Sequence, residues 1–559
     1  MSSKNQYEVT PFSTFDEKEC DVKVRMIPMR DGRKLYTVIY LPPEAKEPVG
    51  TLLFRSPYFR REYISLPNAF ALKYGFAAIY QSCRGTGFSE GEYFPSRNEF
   101  EEHDGEDMLN WIIEQPWSNG KVGLMGSSYS GWTQWAASYS GHKAIVGSRP
   151  HVAPIYGCCT MARPGGGSSH GFMVSWGLSM FHRNKFGYND VPSYDLQLNH
   201  LPVNEMDLLY DYGVVEFYRD FVRTTQKPVL DWEGIRKRFS NIKAPAYISG
   251  GWFDGFKAES FASFELMKEL AATPEARNFT RLIIGPWAHG GLINPEAFGK
   301  ENDHRDLVKK QDSFIANLMK EPGSDPLPGV PAVQFYLLGE NRWCDAEVWP
   351  PVSKEKRFYL REDKSLSLEK SSCEESISRY TYDPAAPTPS YNGQRNTLGY
   401  YDRTQTEKRA DVLTFTSGKL SEKLTIAGSV KVRLFARSSA PDTDFYATLS
   451  DVYPDGRSMF LMTGMVRARF SVSLEKETFL KPGEIREYEL DLGHIANAFL
   501  PGHALRVAVH SANFPAESRN LNTTAPINEG VTFVTAHQEI FHDAEHPSCL
   551  ILPEAAAEL

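Results

Sequence analysis

Three short segments of the sequence carry side chains able to do nucleophilic chemistry. The first is Val122-Gly-Leu-Met-Gly126-Ser127-Ser128-Tyr129-Ser130-Gly131-Trp132, an apolar run that enters a small-residue turn and then a helical stretch through Trp135, Ala136 and Ala137. A serine on such a turn holds Oγ clear of the backbone, while the next N–H and the helix N-terminus face a developing oxyanion. Ser128 is the candidate nucleophile. The usual G-x-S-x-G pattern ends in glycine where this chain has Ser130, and Gly131 follows one place later. A serine hydroxyl is a weak nucleophile at neutral pH and needs a histidine to take its proton and a carboxylate to orient the imidazole. Gly250-Gly251-Trp252-Phe253-Asp254-Gly255 and Gly285-Pro286-Trp287-Ala288-His289-Gly290 supply both, each just past a short apolar run. Singly, such an aspartate is a turn residue and such a histidine an ordinary surface or core side chain. Together, in the order serine, acid, histidine, Ser128, Asp254 and His289 point to covalent acyl transfer.

The elements that must position them follow from the pattern. Short apolar runs at Thr51 to Phe54, Phe76 to Tyr80, Val122 to Met125, Ala246 to Ser249 and Leu282 to Ile284 alternate with longer helical stretches, as parallel strands buried on both faces require. The clearest helix runs from Phe100 to Glu114, with Met108, Leu109, Ile112 and Ile113 on one face and Pro116 as its stop. Residues 22 to 41 alternate around Asp31-Gly32 and read as an antiparallel hairpin. Between Val152 and Ile235 the chain is rich in aromatics, Met, Gly and His, with helical periodicity at Phe172 to Phe186 and Asp207 to Thr224. An insertion there overhangs the strand ends, where open α/β sheets bind ligands. Past Trp349-Pro350-Pro351, strand-like runs (Asp411 to Thr416, Ser429 to Ala436, Phe445 to Val452, Leu505 to His510, Val531 to Thr535) are separated by turn residues. The expected class is α/β: an α/β-hydrolase domain over 1–151 and 236–350, a helical cap over 152–235, and an all-β jelly-roll sandwich over 351–559.

Composition narrows the function. The 559 residues exceed what one core holds, and the formal charge of −9, from 61 Lys plus Arg against 70 Asp plus Glu, argues against a nucleic-acid partner. The N-terminal residues lack the pattern of a secretory signal, and no run of about 18 apolar residues suggests a membrane span. The seven cysteines are scattered and never spaced as C-x-x-C, so reduced thiols, no structural metal and a cytoplasmic location are expected. Oligomeric state is open, a homo-oligomer included. Glu101, Glu102, His103, Asp104, Glu106 and Asp107 resemble metal ligands in type, but acids entering a helix ordinarily complement its dipole. Arg84-Gly-Thr-Gly-Phe-Ser-Glu-Gly91 follows no phosphate-binding spacing and reads as a turn, while Arg163-Pro-Gly-Gly-Gly-Ser-Ser-His170 is either a gate or an inert loop.

The chain resembles the cocaine esterase and X-Pro dipeptidyl-peptidase (CocE/NonD) group of serine hydrolases, which includes α-amino acid ester hydrolases and glutaryl acylases. Arg55-Ser-Pro-Tyr58, Arg84 to Gly91, Gly126 to Gly131, Gly250 to Gly255, Gly285 to His289, Trp343 with Trp349-Pro350, and Leu500 to Arg506 carry the resemblance. It implies the α/β-hydrolase, cap and jelly-roll arrangement. It also implies an oxyanion hole made by the Tyr58 hydroxyl and the Tyr129 N–H, with Trp176 and Phe256 lining the acyl pocket. Members selective for α-amino acyl groups use a carboxylate cluster, part of it two and three residues past the triad acid. This chain has Phe256 and Lys257 there, so an ester with an uncharged aromatic or aliphatic acyl group is the expected substrate, unless cap acids such as Asp190 or Asp195 reach the pocket. The same triad serves X-Pro dipeptidyl-peptidases, amide acylases and acyltransferases on small-molecule amides or esters, none with a cofactor. An inert binding protein using its β region is the alternative of another class, and the intact Ser128, Asp254 and His289 argue against it.

Overall fold

The computed structural model describes residues 21–43, 47–60, 73–95, 97–157, 165–187, 192–194, 197–210, 212–224, 231–289, 291–292, 295–298, 304–390 and 399–555. A first sheet opens with the antiparallel hairpin β1 (Asp21–Pro28) and β2 (Lys34–Leu41), turned at Gly32, whose φ of 83° suits glycine. It continues through β3 (Val49–Ser56), β4 (Ala77–Ser82), β5 (Ser118–Ser127), β6 (Ile145–His151), β7 (Tyr247–Gly251) and β8 (Arg281–Gly285). A small hairpin, β9 (Trp287–Ala288) and β10 (Gly291–Leu292), flanks His289, and β11 (Val333–Leu337) with β12 (Arg342–Ala346) completes the sheet. The spatial order is β1-β2-β4-β3-β5-β6-β7-β8-β11-β12, parallel from β4 across to β11. The central strands β4, β7 and β8 are buried at every residue, as the continuous apolar runs require.

Helices cover both faces. Asn98–Ile113 packs against Tyr129–Ser138, every residue of which is buried. Gly105 permits the close approach, since a Cβ there would lie 2.9 Å from the Ala137 Cβ. On the opposite face His304–Lys320 places Phe314, Ile315 and Leu318 against the sheet. The helices His170–Phe186 and Glu216–Thr224 pack on each other, while Trp232–Phe239 packs on Lys257–Leu270 and sets Phe239 against Trp135 and Tyr139. The helical periodicity over Asp207 to Thr224 belongs to two pieces, a 3₁₀ segment, Val203–Leu209, and an α-helix, Glu216–Thr224. Gly213, at a φ of 66°, lies between them and interrupts the repeat.

The second sheet system comprises β13 (Ser353–Leu360), β14 (Ser365–Ser367), β15 (Ile377–Tyr382), β16 (Leu413–Ser417), β17 (Leu424–Ser438), β18 (Asp444–Val452), β19 (Ser458–Arg467), β20 (Arg486–Phe499), β21 (Ala504–His510), β22 (Ala536–Phe541) and β23 (Cys549–Ala555). All its ladders are antiparallel except β14 with β16. Along β17 buried and half-buried residues alternate from Gly428 onward, the period-2 signature of a strand with one face in a core. The strand expected at Val531 to Thr535 is not one. Those residues are irregular and exposed, and pairing begins at Ala536, opposite Tyr382. The apolar side chains there carry β-propensity, yet no neighbouring ladder receives them.

Candidate active site

Ser128 follows β5 and caps the helix Tyr129–Ser138 at φ 57°, ψ −126°, a strained backbone for an L residue. Its N–H donates to the His151 carbonyl at 2.9 Å, and its own carbonyl accepts from the Gly131 and Trp132 amides at 2.8 and 3.0 Å. The turn therefore hangs between β6 and the helix, and the side chain is turned out of it. Gly126 is required at this turn: at φ 143°, a Cβ would meet Ser130 Cβ at 2.6 Å. The same crowding explains the unusual position of the second glycine. Gly131 is the residue that abuts the neighbouring strand end, where a Cβ would lie 2.5 Å from Ala153 Cβ, so Ser130 is free to carry a side chain.

The two glycine-flanked turns lock onto each other. Trp252 N–H donates to Gly285 O at 2.9 Å and Phe253 N–H to Trp287 O at 3.0 Å. This contact needs Gly251 and Gly285, because a Cβ on the first would lie 2.1 Å from Trp287 O and on the second 2.4 Å from the Trp287 ring. With the turns interlocked, Asp254 Oδ2 lies 2.7 Å from His289 Nδ1, and His289 Nε2 lies 2.9 Å from Ser128 Oγ. Asp254 Oδ1 accepts from the Phe256 N–H at 2.7 Å. The aspartate side chain is fully buried and the histidine partly open. Burial disfavours the imidazolium, but the charge and hydrogen bond of Asp254 outweigh it and raise the His289 pKa above its ordinary value. The line from Asp254 through His289 to Ser128 can carry a proton from the hydroxyl to the imidazole.

Of the residues expected around the site, Phe256 touches the triad, and Trp176 touches both Tyr58 and Tyr129. Phe256 sets its ring against His289 with centroids 5.4 Å apart at 62°. Tyr58 follows β3, pinned by its N–H to Ser56 Oγ at 3.2 Å and by Tyr80 Oη on its carbonyl at 2.9 Å. Trp176, from the helix His170–Phe186, donates its indole N–H to Tyr58 Oη at 3.1 Å and stacks on Tyr129 at 6.2 Å and 25°. Tyr129 opens its helix, where the first amides have no intrahelical acceptor. Its hydroxyl donates to Glu101 at 3.1 Å, and Glu101 pairs with the buried Arg55 at 2.9 Å.

Several sequence features find other roles. Lys257 is buried and runs toward β20, its Cε 4.0 Å from where a Gly493 Cβ would stand. Burial lowers its pKa to about 8, with Asp491 and Asp254 opposing. The acids of the helix Asn98–Ile113 do more than complement its dipole: Glu101 pairs with Arg55, Glu102 with Arg238, Asp104 with Arg84, and Glu106 and Asp107 with Arg30. Gly165, Gly166 and Gly167 are pressed onto Met465 and Phe470, and Arg467 N–H donates to Gly165 O at 2.7 Å. Arg163, Asp190 and Asp195 lie outside the described residues.

Residues 31–291 match the family model described as X-Pro dipeptidyl-peptidase (S15 family), and residues 328–551 match the X-Pro dipeptidyl-peptidase C-terminal non-catalytic domain. The cocaine esterase of Rhodococcus sp. (strain MB1 Bresler) is 33% identical, over 94% of this chain and 97% of its own. Two solved structures share the fold. An aminopeptidase from the marine sediment archaeon Thaumarchaeota archaeon has a TM-score of 0.81 at 23% identity, covering 100% of this chain and 99% of its own. A selenomethionine-labelled α-amino acid ester hydrolase has a TM-score of 0.81 at 24% identity, covering 99% and 100%. These matches span both sheet systems, and the chain belongs to the X-Pro dipeptidyl-peptidase (S15) and CocE/NonD family of serine hydrolases.

Proposed function

We propose that the protein hydrolyses a carboxylic ester with an uncharged aromatic or aliphatic acyl group, with Ser128, His289 and Asp254 as its catalytic triad. The observation that carries this reading is the unbroken line of hydrogen bonds from Asp254 through His289 to Ser128. Ser128 Oγ attacks the ester carbonyl as His289 Nε2 takes its proton, and Asp254 holds the opposite N–H and favours the imidazolium. The tetrahedral oxyanion accepts from the Tyr58 hydroxyl and the Tyr129 N–H, donors aimed where charge develops. His289 returns its proton to the departing alkoxide, leaving an acyl-Ser128. It then deprotonates a water that attacks the acyl carbon, and Ser128 regains its proton on collapse.

Phe256 and Trp176 form the apolar acyl wall in this reading. Supporting the uncharged acyl group, Phe256 fills the space beside His289, and Lys257 turns its ammonium toward β20. We divide the chain into the hydrolase domain at 1–151 and 236–350, the cap at 152–235, and a jelly-roll sandwich at 351–559. A cytoplasmic location fits the unpaired state of Cys83, Cys344, Cys373 and Cys549. No helix among the described residues is long and apolar enough to cross a membrane. The family model favours one second reading, cleavage of an X-Pro dipeptide from a peptide N-terminus by the same triad.

A fluorophosphonate probe tests the nucleophile. A single adduct on Ser128, absent from Ser128→Ala, is the expected result, and labelling at another serine would overturn the assignment. A panel of aryl and alkyl esters beside Gly-Pro amides then separates esterase from dipeptidyl-peptidase.

A further inference from the structure

One indole touches both residues of the proposed oxyanion hole. Trp176 Nε1 lies 3.1 Å from Tyr58 Oη, and its ring stacks on Tyr129 at 6.2 Å and 25° and on Phe172 at 5.5 Å and 11°. An indole N–H can only donate, so in this bond the phenol oxygen must accept. The Tyr58 proton is thereby turned away from Trp176. A hydroxyl that accepts one hydrogen bond is polarised into a better donor in the next. The Tyr58 backbone is held at both its N–H and its carbonyl, and the indole N–H, by taking one side of the phenol oxygen, leaves the O–H to point elsewhere.

The helix that brings Trp176 is itself seated on the C-terminal region. Gly171 N–H donates to Pro515 O at 2.8 Å, Ser518 N–H to Ser168 O at 2.9 Å, and the Ser168 and Ser518 hydroxyls lie 2.8 Å apart. His170 stacks on Phe514 at 5.5 Å and 28°. The indole is thus placed by a chain of contacts that begins outside the catalytic sheet.

From this geometry we infer that Trp176 is a positioning residue for the oxyanion site, its N–H fixing the Tyr58 hydroxyl so that the phenolic proton faces the reacting carbonyl oxygen. The inference rests on the reading of Tyr58 as an oxyanion donor. A Trp that only lines the acyl pocket would act mainly on KM, whereas one that orients a transition-state donor acts on kcat.

A double-mutant cycle separates these roles. Trp176→Phe keeps an aromatic plane and removes the N–H. It should lower kcat about tenfold with KM within about threefold, and in a Tyr58→Phe background it should change kcat by less than about twofold. Replacing Trp176 by benzothienylalanine, with sulfur in place of the N–H, keeps the bicyclic shape and should reproduce the kcat loss. Equal losses in both backgrounds, a loss carried by KM, or full activity in the sulfur analogue would overturn the inference. If Tyr58→Phe costs about 10² in kcat and Trp176→Phe nothing, the inference alone is removed. If Tyr58→Phe itself keeps its kcat, the oxyanion reading goes as well.

Discussion

Phe256 touches both the acid and the base of the proposed triad: its ring meets the His289 imidazole at 5.4 Å and 62°, and its backbone N–H donates to Asp254 Oδ1 at 2.7 Å. One residue thus orients the acid and occupies the space beside the base. The acid's second oxygen is left to His289, so a change at Asp254 acts on the imidazole directly.

The pH dependence follows from that contact. Asp254 raises the pKa of His289, so the imidazole stays protonated, and unable to accept the Ser128 proton, up to a pH above its ordinary value. kcat/KM should rise with pH through a midpoint displaced upward from that of a free histidine. Asp254→Asn removes the charge that favours the imidazolium and presents a donor to Nδ1. The rate should fall by about 10⁴ and the midpoint of the residual activity should move down. A profile flat between about pH 5 and 8, with chemistry limiting, would count against a histidine base.

The Ser128 backbone makes a prediction about stability. At φ 57° and ψ −126° the residue carries strain on the order of 1 to 3 kcal/mol. Ser128→Ala should lose at least about 10³ of activity and keep both the strain and the fold. Ser128→Gly, equally inactive, should unfold at higher urea than Ser128→Ala by on the order of 1 kcal/mol, since glycine adopts this conformation without the Cβ penalty. Equal midpoints for the two variants would show the turn relaxing around a side chain.

Legibility varied with the range of the interaction. Ser128, Asp254 and His289 each sit on a strand end marked by local glycines and a short apolar run, so their places and order could be read without a partner in view. What brings them together, the bonding of the Gly250 turn to the Gly285 turn, is foreshadowed by those glycines but legible only as packing. The Tyr58 hydroxyl entered through resemblance, because Pro-Tyr after a strand has no chemistry of its own. Trp176, 118 residues further on, reads as any half-buried aromatic until its helix is docked. The acidic helix misled for the same reason: its arginine partners lie at positions 30, 55, 84 and 238, and only the fold pairs them. Val531 to Thr535 shows the reverse failure, local propensity with no ladder to receive it.

The glycines at 165 to 167 form a seam between the segment before Trp176 and the second sheet system. Gly165 stands at φ 88°, and a Cβ would lie 2.0 Å from the Met465 carbonyl oxygen. Gly165→Ala should therefore destabilise the protein by about 2 kcal/mol or more and lower kcat, by displacing the helix that carries Trp176. Gly456 has a similar φ of 91° with nothing within 4 Å of its Cβ position. Gly456→Ala should cost only about 1 kcal/mol and leave turnover unchanged. Urea unfolding and kcat of the two variants side by side give the comparison, and a silent Gly165→Ala would show that the seam opens freely.

Acyl selectivity follows from the charges available near the triad. A cationic α-amino group brought to the carbonyl site loses hydration and needs a carboxylate to replace it. Among the described residues, Asp254 is bonded to His289 and the Phe256 N–H, and Glu101 is paired with Arg55, so neither is available for that role. Phe256 offers an aromatic face in its place. A phenylacetate ester should exceed the matched phenylglycine ester in kcat/KM by about tenfold or more, about 1.4 kcal/mol of differential transition-state binding. Acylating the phenylglycine amine removes the charge and should recover part of the difference, which separates charge from bulk at the α-carbon. Phe256→Glu should narrow the gap from the other side, by supplying a carboxylate beside the acyl carbon at some cost in overall rate. A preference for phenylglycine in the unaltered protein, lost when its amine is acylated, would mean that an acid reaches the pocket from elsewhere in the chain, and the substrate would then be an α-amino acyl ester.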